Sequence, residues 1–257
     1  MSRARRALDE AGPVLTAIGT ALLLWIVVAA IWPSILPSPL SAWRALRDKI
    51  ADGTIPEATL KTLIRLVFSF VAAILVGTLI GMGLAASDFA RRGFGKLIVA
   101  LQVIPSPAWI PLAIVWFGAT ERAVVFVAFV GAFPSVTLAT MASLRQVPPL
   151  LQQAGRTLGA KGWALYGSII FPAALPGYVA GLQQAWGFAW RALMAGELVV
   201  SAANAVGLGH LLVRSGSDLA LLLAVLAVIM LIGVAVDLFV FGVIDRRIRR
   251  RRGLVIA

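Results

Sequence analysis

The sequence contains no cysteine, and His210 is its single histidine. The absence of cysteine excludes disulfides, thiol catalysis and cysteine metal sites. One histidine argues against a histidine-based metal site or a Ser/His catalytic triad, although carboxylates could still bind a hard cation. Charged residues are scarce as well, at 13%, whereas hydrophobic residues reach 60%. Since soluble domains carry about 25% charged residues, this composition predicts a protein whose solvent is lipid.

Long apolar segments predict how the chain occupies a membrane. A helix needs about 20 apolar residues to cross the hydrocarbon layer, whereas a β-barrel would show short alternating runs. Six segments approach that length, so we predict an all-α membrane protein with six transmembrane helices. The predicted spans are residues 14–31, 66–86, 97–117, 123–144, 171–190 and 219–244. They form a single transmembrane domain over residues 1–257, with a core at about 60–245 that follows the first span and an outer connector at 32–60.

Lys and Arg indicate which side of the membrane each segment faces, because cytoplasmic loops are enriched in both. With the N-terminus inside, the inner segments hold 15 of the 23 basic residues. These are Arg3, Arg5, Arg6, Arg91, Arg92, Lys96, Arg145, Arg156, Lys161, Arg246, Arg247, Arg249, Arg250, Arg251 and Arg252. We therefore predict a multi-pass protein with both termini in the cytoplasm. The net charge is +12, but the basic residues that produce it lie at the membrane edges rather than on a soluble face. The charge therefore does not indicate a nucleic-acid partner.

The loop between the fourth and fifth predicted spans reads VPPLLQQAGRTLGAKGW from Val147 onward. Two prolines can open a helix at its first turn, and Gly159 is placed to end it. Between them, Leu151, Ala154 and Leu158 fall on one face. This spacing predicts a short amphipathic helix. On spacing alone that helix could simply lie on the bilayer, where its basic residues suit lipid headgroups.

The same loop resembles the signature loop of ABC importer permeases, which reads Glu-Ala-Ala, three residues, Gly, nine residues and Ile-x-Leu-Pro. The matching positions are Gln153, Ala154, Gly155, Gly159, Ile169 and Pro172. Three residues depart from the pattern, because Gln153 replaces Glu, Gly155 replaces the second Ala, and Phe171 replaces Leu. The resemblance implies a coupling helix that sits deep in a groove of a partner ATPase, where small residues are needed. The residues it assigns to this role are Gln153, Ala154, Gly155, Arg156, Leu158, Gly159 and Ala160.

Two further segments resemble the sulfonate, nitrate and taurine permeases within that group. They are IPSPAWIPLAIVWFG at residues 104–118 and FPAALPGYVAGL at residues 171–182. The resemblance implies a type I ABC importer permease fold in a bacterial inner membrane. It also implies a homodimer that works with two ABC ATPase subunits and a periplasmic or lipid-anchored substrate-binding protein. The transported molecule would be a small organic or inorganic anion.

The chain itself lacks the motif that binds nucleotide phosphates. A P-loop requires Gly-Lys followed by Ser or Thr, but the only Gly-Lys pair, Gly95 and Lys96, precedes Leu97. We therefore expect no ATP hydrolysis by this chain and no cofactor or metal of its own. ATP and Mg would belong to the partner ATPase.

Prolines and charges within the apolar segments supply the candidates for the translocation path. Pro105, Pro107 and Pro111 are predicted to kink the third span. Arg191 and Glu197 lie six residues apart, so a direct pair on one helix is not favoured. Arg191 could attract an oxyanion by forked hydrogen bonds, or it could form a structural ion pair. Either residue could also form an ion pair across a dimer. The path candidates are Pro105, Ser106, Trp109, Trp190, Arg191 and Glu197.

Other polar and amphipathic features are predicted to lie at the membrane interfaces. A short helix with Trp43, Leu46 and Ile50 on one side would be an interfacial helix or a plain surface helix. Arg65 is interpreted as an interface anchor at the start of the second span. Asp237 is expected to snorkel or pair at the inner interface.

Two other functional classes are alternatives to the permease. An ion-coupled secondary transporter would use intramembrane carboxylates, for which only Asp237 and Glu197 could serve, and the sequence shows no inverted repeat. A membrane-embedded enzyme would need a clustered nucleophile, base or metal set. The lone histidine and the absence of cysteine argue against that enzyme.

Overall fold

A computed structural model describes residues 3–200 and 205–251, and within them the regular elements are helices. The α-helices are α1 (Arg3–Ile31), α2 (Pro39–Ala51), α3 (Thr54–Ala86), α4 (Asp88–Val103), α5 (Ile110–Phe117), α6 (Glu121–Arg145), α7 (Pro149–Thr157), α8 (Gly162–Leu165), α9 (Phe171–Val199), α10 (Leu208–Ser215), α11 (Leu219–Val236) and α12 (Gly242–Arg251). A 3₁₀ turn at Ser106–Trp109 precedes α5, and π-helical turns at Tyr166–Ile170 and Asp237–Phe241 precede α9 and α12. The all-α prediction is confirmed.

Within the described residues, four helical stretches are long and apolar enough to cross a membrane. They are Thr54–Ala86, Glu121–Arg145, Gly162–Val199 and Leu219–Ile248, and they contain the predicted second, fourth, fifth and sixth spans. The first predicted span falls in α1, where Thr16–Ile31 is an apolar helical stretch among the described residues.

The third predicted span is broken rather than continuous. Helix α4 and the segment Ser106–Phe117 meet at an angle of 98°. Ile104 takes an extended backbone conformation, as the residue before a proline usually does. Pro105 and Pro107 have no N–H, so they cannot donate the helical hydrogen bonds that would continue α4. The predicted kink is confirmed for these two prolines, whereas Pro111 lies in the first turn of α5, where proline is tolerated.

The connector before α3 contains the short amphipathic helix that the sequence predicts, as α2. Ser38 caps its start by accepting a hydrogen bond from the Ser41 N–H, a common arrangement at helix N-termini. Ala42 is buried, while Trp43 is 61% exposed. Helix α2 packs against α3 and α11, so its apolar outward side is available to lipid or to another chain.

The core forms around α6, which packs between α3 and α9. Close approach of these helices depends on small residues, as in other membrane bundles. A Cβ atom added at Gly81 would lie 2.6 Å from the Thr137 carbonyl oxygen on α6. On the other side of α6, a Cβ atom added at Gly181 of α9 would lie 2.1 Å from the Ala139 Cβ. Neither glycine has room for a methyl group unless the helices move apart.

Substituting Gly181 should therefore destabilise the bundle. We expect Gly181→Ala to lower the free energy of unfolding by about 1 to 3 kcal/mol, the usual cost of overpacking. Gly187 on the same helix is the matched control, because a Cβ atom there meets nothing within 4 Å. Thermal unfolding in detergent should show a lower transition temperature for Gly181→Ala and little change for Gly187→Ala. Equal transitions for the two variants would contradict the tight packing of α6 and α9.

Candidate translocation and coupling sites

Glu197 lies near the end of α9 and is 1% exposed. Arg65 Nη1 on α3 donates a hydrogen bond of 2.8 Å to its Oε1 atom, and the Gly209 N–H donates one of 2.8 Å to Oε2. The Thr62 hydroxyl donates to the same carboxylate at 3.0 and 3.1 Å and accepts from the Leu208 N–H at 2.9 Å. The carboxylate therefore joins α3, α9 and the start of α10 within one chain, so it needs no dimer partner to be paired.

Arg65 does not anchor the chain at a membrane interface, so that interpretation is wrong. Its side chain is only 5% exposed and lies between two carboxylates. Besides its bond to Glu197, Arg65 donates from Nη2 to Glu121 Oε1 at 2.5 Å. Glu121 opens α6 and its side chain is 62% exposed. A guanidinium that bridges two carboxylates offsets the cost of burying charge far better than an unpaired one.

Two glycines allow the chain to pass close to this network. A Cβ atom at Gly207 would lie 2.6 Å from Glu197 Oε2, and one at Gly209 would lie 2.5 Å from Glu197 Cβ. The Gly209 N–H thus reaches the carboxylate directly and the Leu208 N–H reaches it through the Thr62 hydroxyl, at a helix N-terminus where the dipole also favours negative charge. The sequence does not reveal this network, because Thr62 and Glu197 are 135 positions apart and no local spacing signals their contact.

The remaining path candidates do not form one cluster. Pro105 is exposed at the break before α5, and Trp109 and Trp190 are part-buried. Ser106 lies against α6, since its Oγ atom is 3.3 Å from the place of an added Cβ at Gly131. The broken span thus packs against the core. That these four residues line a path stays a prediction.

Arg191 is exposed and does not pair with Glu197 in the described structure. Its Nε atom donates to the Gly187 carbonyl at 3.0 Å, and its guanidinium carbon lies 4.9 Å from the centre of the Phe188 ring. Both contacts lie on α9 itself, about one turn away. The guanidinium Nη groups therefore remain available to a partner outside the described residues.

The exposed face of α9 differs from the faces that suit lipid. Between Gly177 and Arg191 its exposed residues follow at intervals of three, four and seven positions, as residues on one helical stripe do, and they are small or polar. They are Gly177, Ala180, Gln184 and Arg191. On α3, by contrast, Phe68, Leu75 and Leu79 are each more than 60% exposed. Polar side chains facing hydrocarbon are costly, so this face of α9 is the wrong chemistry for lipid.

Asp237 begins a π-helical turn in the last span. Gln183 Nε2 on α9 donates to its Oδ1 atom at 2.6 Å. Its partner in the described structure is therefore a neighbouring helix rather than the basic tail. Among the residues that the structure describes, no group of three or more His, Asp or Glu side chains is arranged to hold a metal ion.

Helix α7 and the turn after it agree with the local prediction. The helix ends at Thr157, and Gly159 follows with φ +88, a left-handed conformation that favours glycine. Leu151 is 46% exposed and Leu158 is 86% exposed, and Ala154 on the same face is exposed as well. Gln153 and Arg156 are exposed, and Ala160 is part-buried. The predicted amphipathic face is thus directed away from the rest of the chain.

Gly155 is the exception within this helix. It is buried, and an added Cβ atom would lie 2.2 Å from Ile169 Cδ1 and 2.9 Å from Leu165 Cδ1. Gly155 is therefore turned toward its own chain, and its assignment to the coupling surface stays a prediction. Its missing side chain lets α7 rest on the helical turns that lead into α9, while Ala154 faces outward.

Several membrane-spanning helices, one of them broken, and a short exposed helix between two spans define a polytopic transport permease. Residues 73–250 match the family of binding-protein-dependent transport system inner membrane components. The chain belongs to this family, which supplies the membrane permease component of ABC importers.

Named relatives agree with this assignment. A putative ABC transporter permease of Methanocaldococcus jannaschii is 32% identical over 190 residues, or 73% of this chain and 70% of the relative. The taurine transport system permease of Escherichia coli is 29% identical over 238 residues, or 88% of this chain and 86% of the relative. The nitrate import permease of Synechocystis is 26% identical over 235 residues, or 87% of this chain and 84% of the relative.

A solved structure is similar in fold. It is the methionine ABC transporter MetNI in inward-facing conformations, with a TM-score of 0.66 and 20% sequence identity. The match covers 78% of this chain and 98% of that chain. The type I importer fold expected from the sequence is confirmed.

Proposed function

We propose that this chain is the subunit through which an ABC importer moves a small anion across a bacterial inner membrane. Two copies would enclose the path, two ATPase subunits would supply the energy, and an external binding protein would deliver the substrate. The exposed polar face of α9, with Arg191 as its charge, is the observation that carries this proposal. Two of the relatives named above are permeases for taurine and nitrate. Nitrate is a small anion, and taurine carries a sulfonate group.

The position of this face along α9 supports a path. At 1.5 Å per residue, Gln184 lies about 22 Å from Val199 at the end of the helix, and Arg191 lies about 12 Å from it. Both positions are inside a stretch that is long enough to cross a bilayer. A second copy of the chain would shield them from lipid and leave water and substrate between the two α9 helices. Arg191 can then offer an oxyanion two parallel N–H donors.

The exposed face of α7 supports coupling to an ATPase. Leu151, Ala154 and Leu158 form an apolar surface that the other described residues leave uncovered. The basic residues near α7 and near both termini favour a cytoplasmic location for all three segments. In this proposal ATP and Mg bind to the partner, the movement of its grooves shifts α7, and the spans alternate between outward and inward access.

The test is uptake by the complete complex in liposomes. We expect ATP-dependent uptake of taurine, another sulfonate, nitrate or bicarbonate in the presence of the cognate binding protein. Replacing Arg191 with alanine should reduce the initial rate at least about 10-fold, because the path loses a charge-assisted bidentate contact worth about 1.5 to 3 kcal/mol. Arg191→Lys should retain an intermediate rate, since lysine keeps the charge but not the fork.

Arg44→Ala is the matched control, since Arg44 is an exposed arginine on α2. It should transport at the unmodified rate. Equal uptake by the Arg191 and Arg44 variants would contradict the role of Arg191. Uptake driven by an ion gradient without any ATPase would instead support the ion-coupled transporter, with Asp237 and Gln183 as its coupling pair.

A further inference from the structure

A cleft of about 460 Å³ opens between α3 and the first half of α6, beside the end of α5. Two charged side chains, Glu121 and Arg122, lie at one end of it, and its other walls are mainly apolar. The wall residues that matter here are Phe68, Ala72, Phe117, Phe126 and Phe129. At 1.5 Å per residue, Glu121 and Phe129 lie about 12 Å apart along α6. The cleft therefore runs from the charged end of a spanning helix into its apolar part.

Packing within the chain fixes both walls of this cleft. The centre of the Phe126 ring lies 5.3 Å from that of Phe117 and 5.5 Å from that of Trp116. These ring contacts hold the end of α5 against α6. On the opposite wall, the Ser69 hydroxyl of α3 donates to the Val125 carbonyl oxygen of α6 at 3.1 Å. The cleft is thus a built feature of the bundle.

The cleft opens away from the polar face of α9. Helix α9 packs on another side of α6, since an added Cβ atom at Gly131 would lie 2.6 Å from the Ala192 Cβ atom. Gly131 follows Val125 by six residues, which turns it about 120° from the cleft at 3.6 residues per turn. Phe68, in the cleft wall, is 67% exposed and belongs to the face of α3 that suits lipid. Hydrocarbon is therefore the medium that this cleft meets.

Both charged side chains of the cleft have free bonding capacity. Arg122 is exposed, and within residues 3–200 and 205–251 nothing pairs with its guanidinium. Glu121 accepts from Arg65 through Oε1, whereas no described residue donates to its Oε2 atom. A cationic donor and a carboxylate acceptor thus lie on consecutive residues, directly above an apolar channel.

A phospholipid with a primary ammonium carries the complementary groups in the same order. Its acyl chain matches the aromatic wall, and its phosphate accepts charge-assisted hydrogen bonds from an arginine. An ammonium group has three N–H donors, one of which can reach a carboxylate oxygen. A trimethylated headgroup has no such donor, and a glycerol headgroup has no positive charge to pair with Glu121.

We propose that this cleft binds one phospholipid with a primary ammonium headgroup, of the phosphatidylethanolamine type. One acyl chain lies along Phe68 and Phe129, the phosphate pairs with Arg122, and the ammonium pairs with Glu121 Oε2. Oε1 of the same carboxylate holds Arg65, so the bound headgroup is joined to the buried network that links α3 and α9. The site is separate from the proposed translocation path and does not rest on the proposed function.

The test is a lipid titration of the complete transporter after its lipids have been removed in detergent. The probes are phosphatidylethanolamine, phosphatidylcholine and phosphatidylglycerol with identical acyl chains, and native mass spectrometry counts the molecules bound to each copy. We expect one phosphatidylethanolamine per copy to bind at least about 10-fold more tightly than either of the other two, because it alone adds a charge-assisted hydrogen bond to Glu121.

Three variants assign this preference to the residues of the cleft. Arg122→Ala should weaken binding of all three lipids at least about 10-fold, because each of them loses the bond to its phosphate. Glu121→Gln keeps the shape but removes the charge, so phosphatidylethanolamine should then bind no more tightly than phosphatidylcholine. Arg44→Ala is the matched control, since Arg44 is an exposed arginine outside the cleft, and its affinities should equal those of the unmodified chain.

Three results would overturn the proposal. The first is equal affinity of the unmodified transporter for the three lipids, and the second is equal affinity of the Arg122 and Arg44 variants for each lipid. The third is a loss of dimers in the Arg122 variant with lipid binding unchanged, which would show that a second copy of the chain occupies the cleft. None of these results depends on uptake, so the proposed function is tested separately.

Discussion

Replacing Glu197 with alanine should destabilise the folded chain by about 3 to 5 kcal/mol, because it removes the buried partner of a buried guanidinium. Arg65 would remain 5% exposed with one of its two carboxylate partners gone. The Gly209 N–H and the Thr62 hydroxyl would also lose their acceptor. Thermal unfolding in detergent, followed by light scattering or intrinsic tryptophan fluorescence, should show the largest loss of stability among single substitutions in this region.

Glu121→Ala is the control, because Glu121 bonds to the same guanidinium but its side chain is 62% exposed. Exposed ion pairs contribute about 0 to 1 kcal/mol, so this variant should unfold close to the unmodified chain. Similar losses in the Glu121 and Glu197 variants would show that burial is not what makes the network important.

A paired substitution distinguishes the loss of the hydrogen bond between Arg65 and Glu197 from the cost of burying the charge that remains. Arg65→Met combined with Glu197→Leu removes both ions, and apolar residues of similar volume often replace a buried ion pair without loss. We expect the double variant to be more stable than Glu197→Leu alone. The losses of stability in the single variants Arg65→Met and Glu197→Leu should therefore be far from additive. Additive losses would contradict direct pairing.

Features that depend on neighbouring residues were predictable from the sequence. Apolar length located the spans, because a helix in lipid satisfies its backbone within one segment. The missing N–H groups of Pro105 and Pro107 indicated where the third span bends, although not that the bend would reach 98°. The turn at Gly159 followed from the positive φ that ends many helices. In each case the physical cause lies within one or two helical turns.

Features that depend on distant residues were not predictable in the same way. Arg65 lies beside Lys61 in the sequence and has the pattern of an interface anchor, but its partners are Glu121 and Glu197 on other helices. A charge pattern along one helix does not reveal which charges meet across a bundle. His210 and Glu57 are likewise ordinary in the sequence, and only the fold brings both to a cleft between the start of α3 and α10.

Small residues in α7 illustrate the same limit at close range. Ala154 and Gly155 are adjacent, and the family resemblance places both in a groove of the ATPase. Helical geometry turns successive residues by about 100°, so the two cannot face the same way. The structure places Ala154 outside and Gly155 against Leu165 and Ile169. Gly155 thus serves the packing of the loop on its own chain.

That difference makes Ala154 the decisive position for testing the coupling face. A tryptophan there would project from a surface that lies away from the bundle, so folding and membrane insertion should be unchanged. In a groove that accepts a methyl group, the larger ring would hold α7 out. We expect Ala154→Trp to reduce both co-purification of the ATPase and the rate of uptake by more than about 10-fold, which corresponds to at least 1.4 kcal/mol of docking free energy.

Two further variants show whether the effect belongs to the outward face of α7. Gln153→Glu restores the usual residue of the family's loop at an exposed position, so it should bind the ATPase and transport normally. Gly155→Trp should also lose ATPase binding, but through a displaced loop, because its side chain would collide with Ile169. Limited proteolysis separates the two causes: the Gly155 variant should become sensitive near α7, whereas the Ala154 variant should keep the unmodified digestion pattern. If Ala154→Trp retains full ATPase binding and full uptake, α7 is a helix at the lipid surface and another part of the chain transmits the work of ATP hydrolysis.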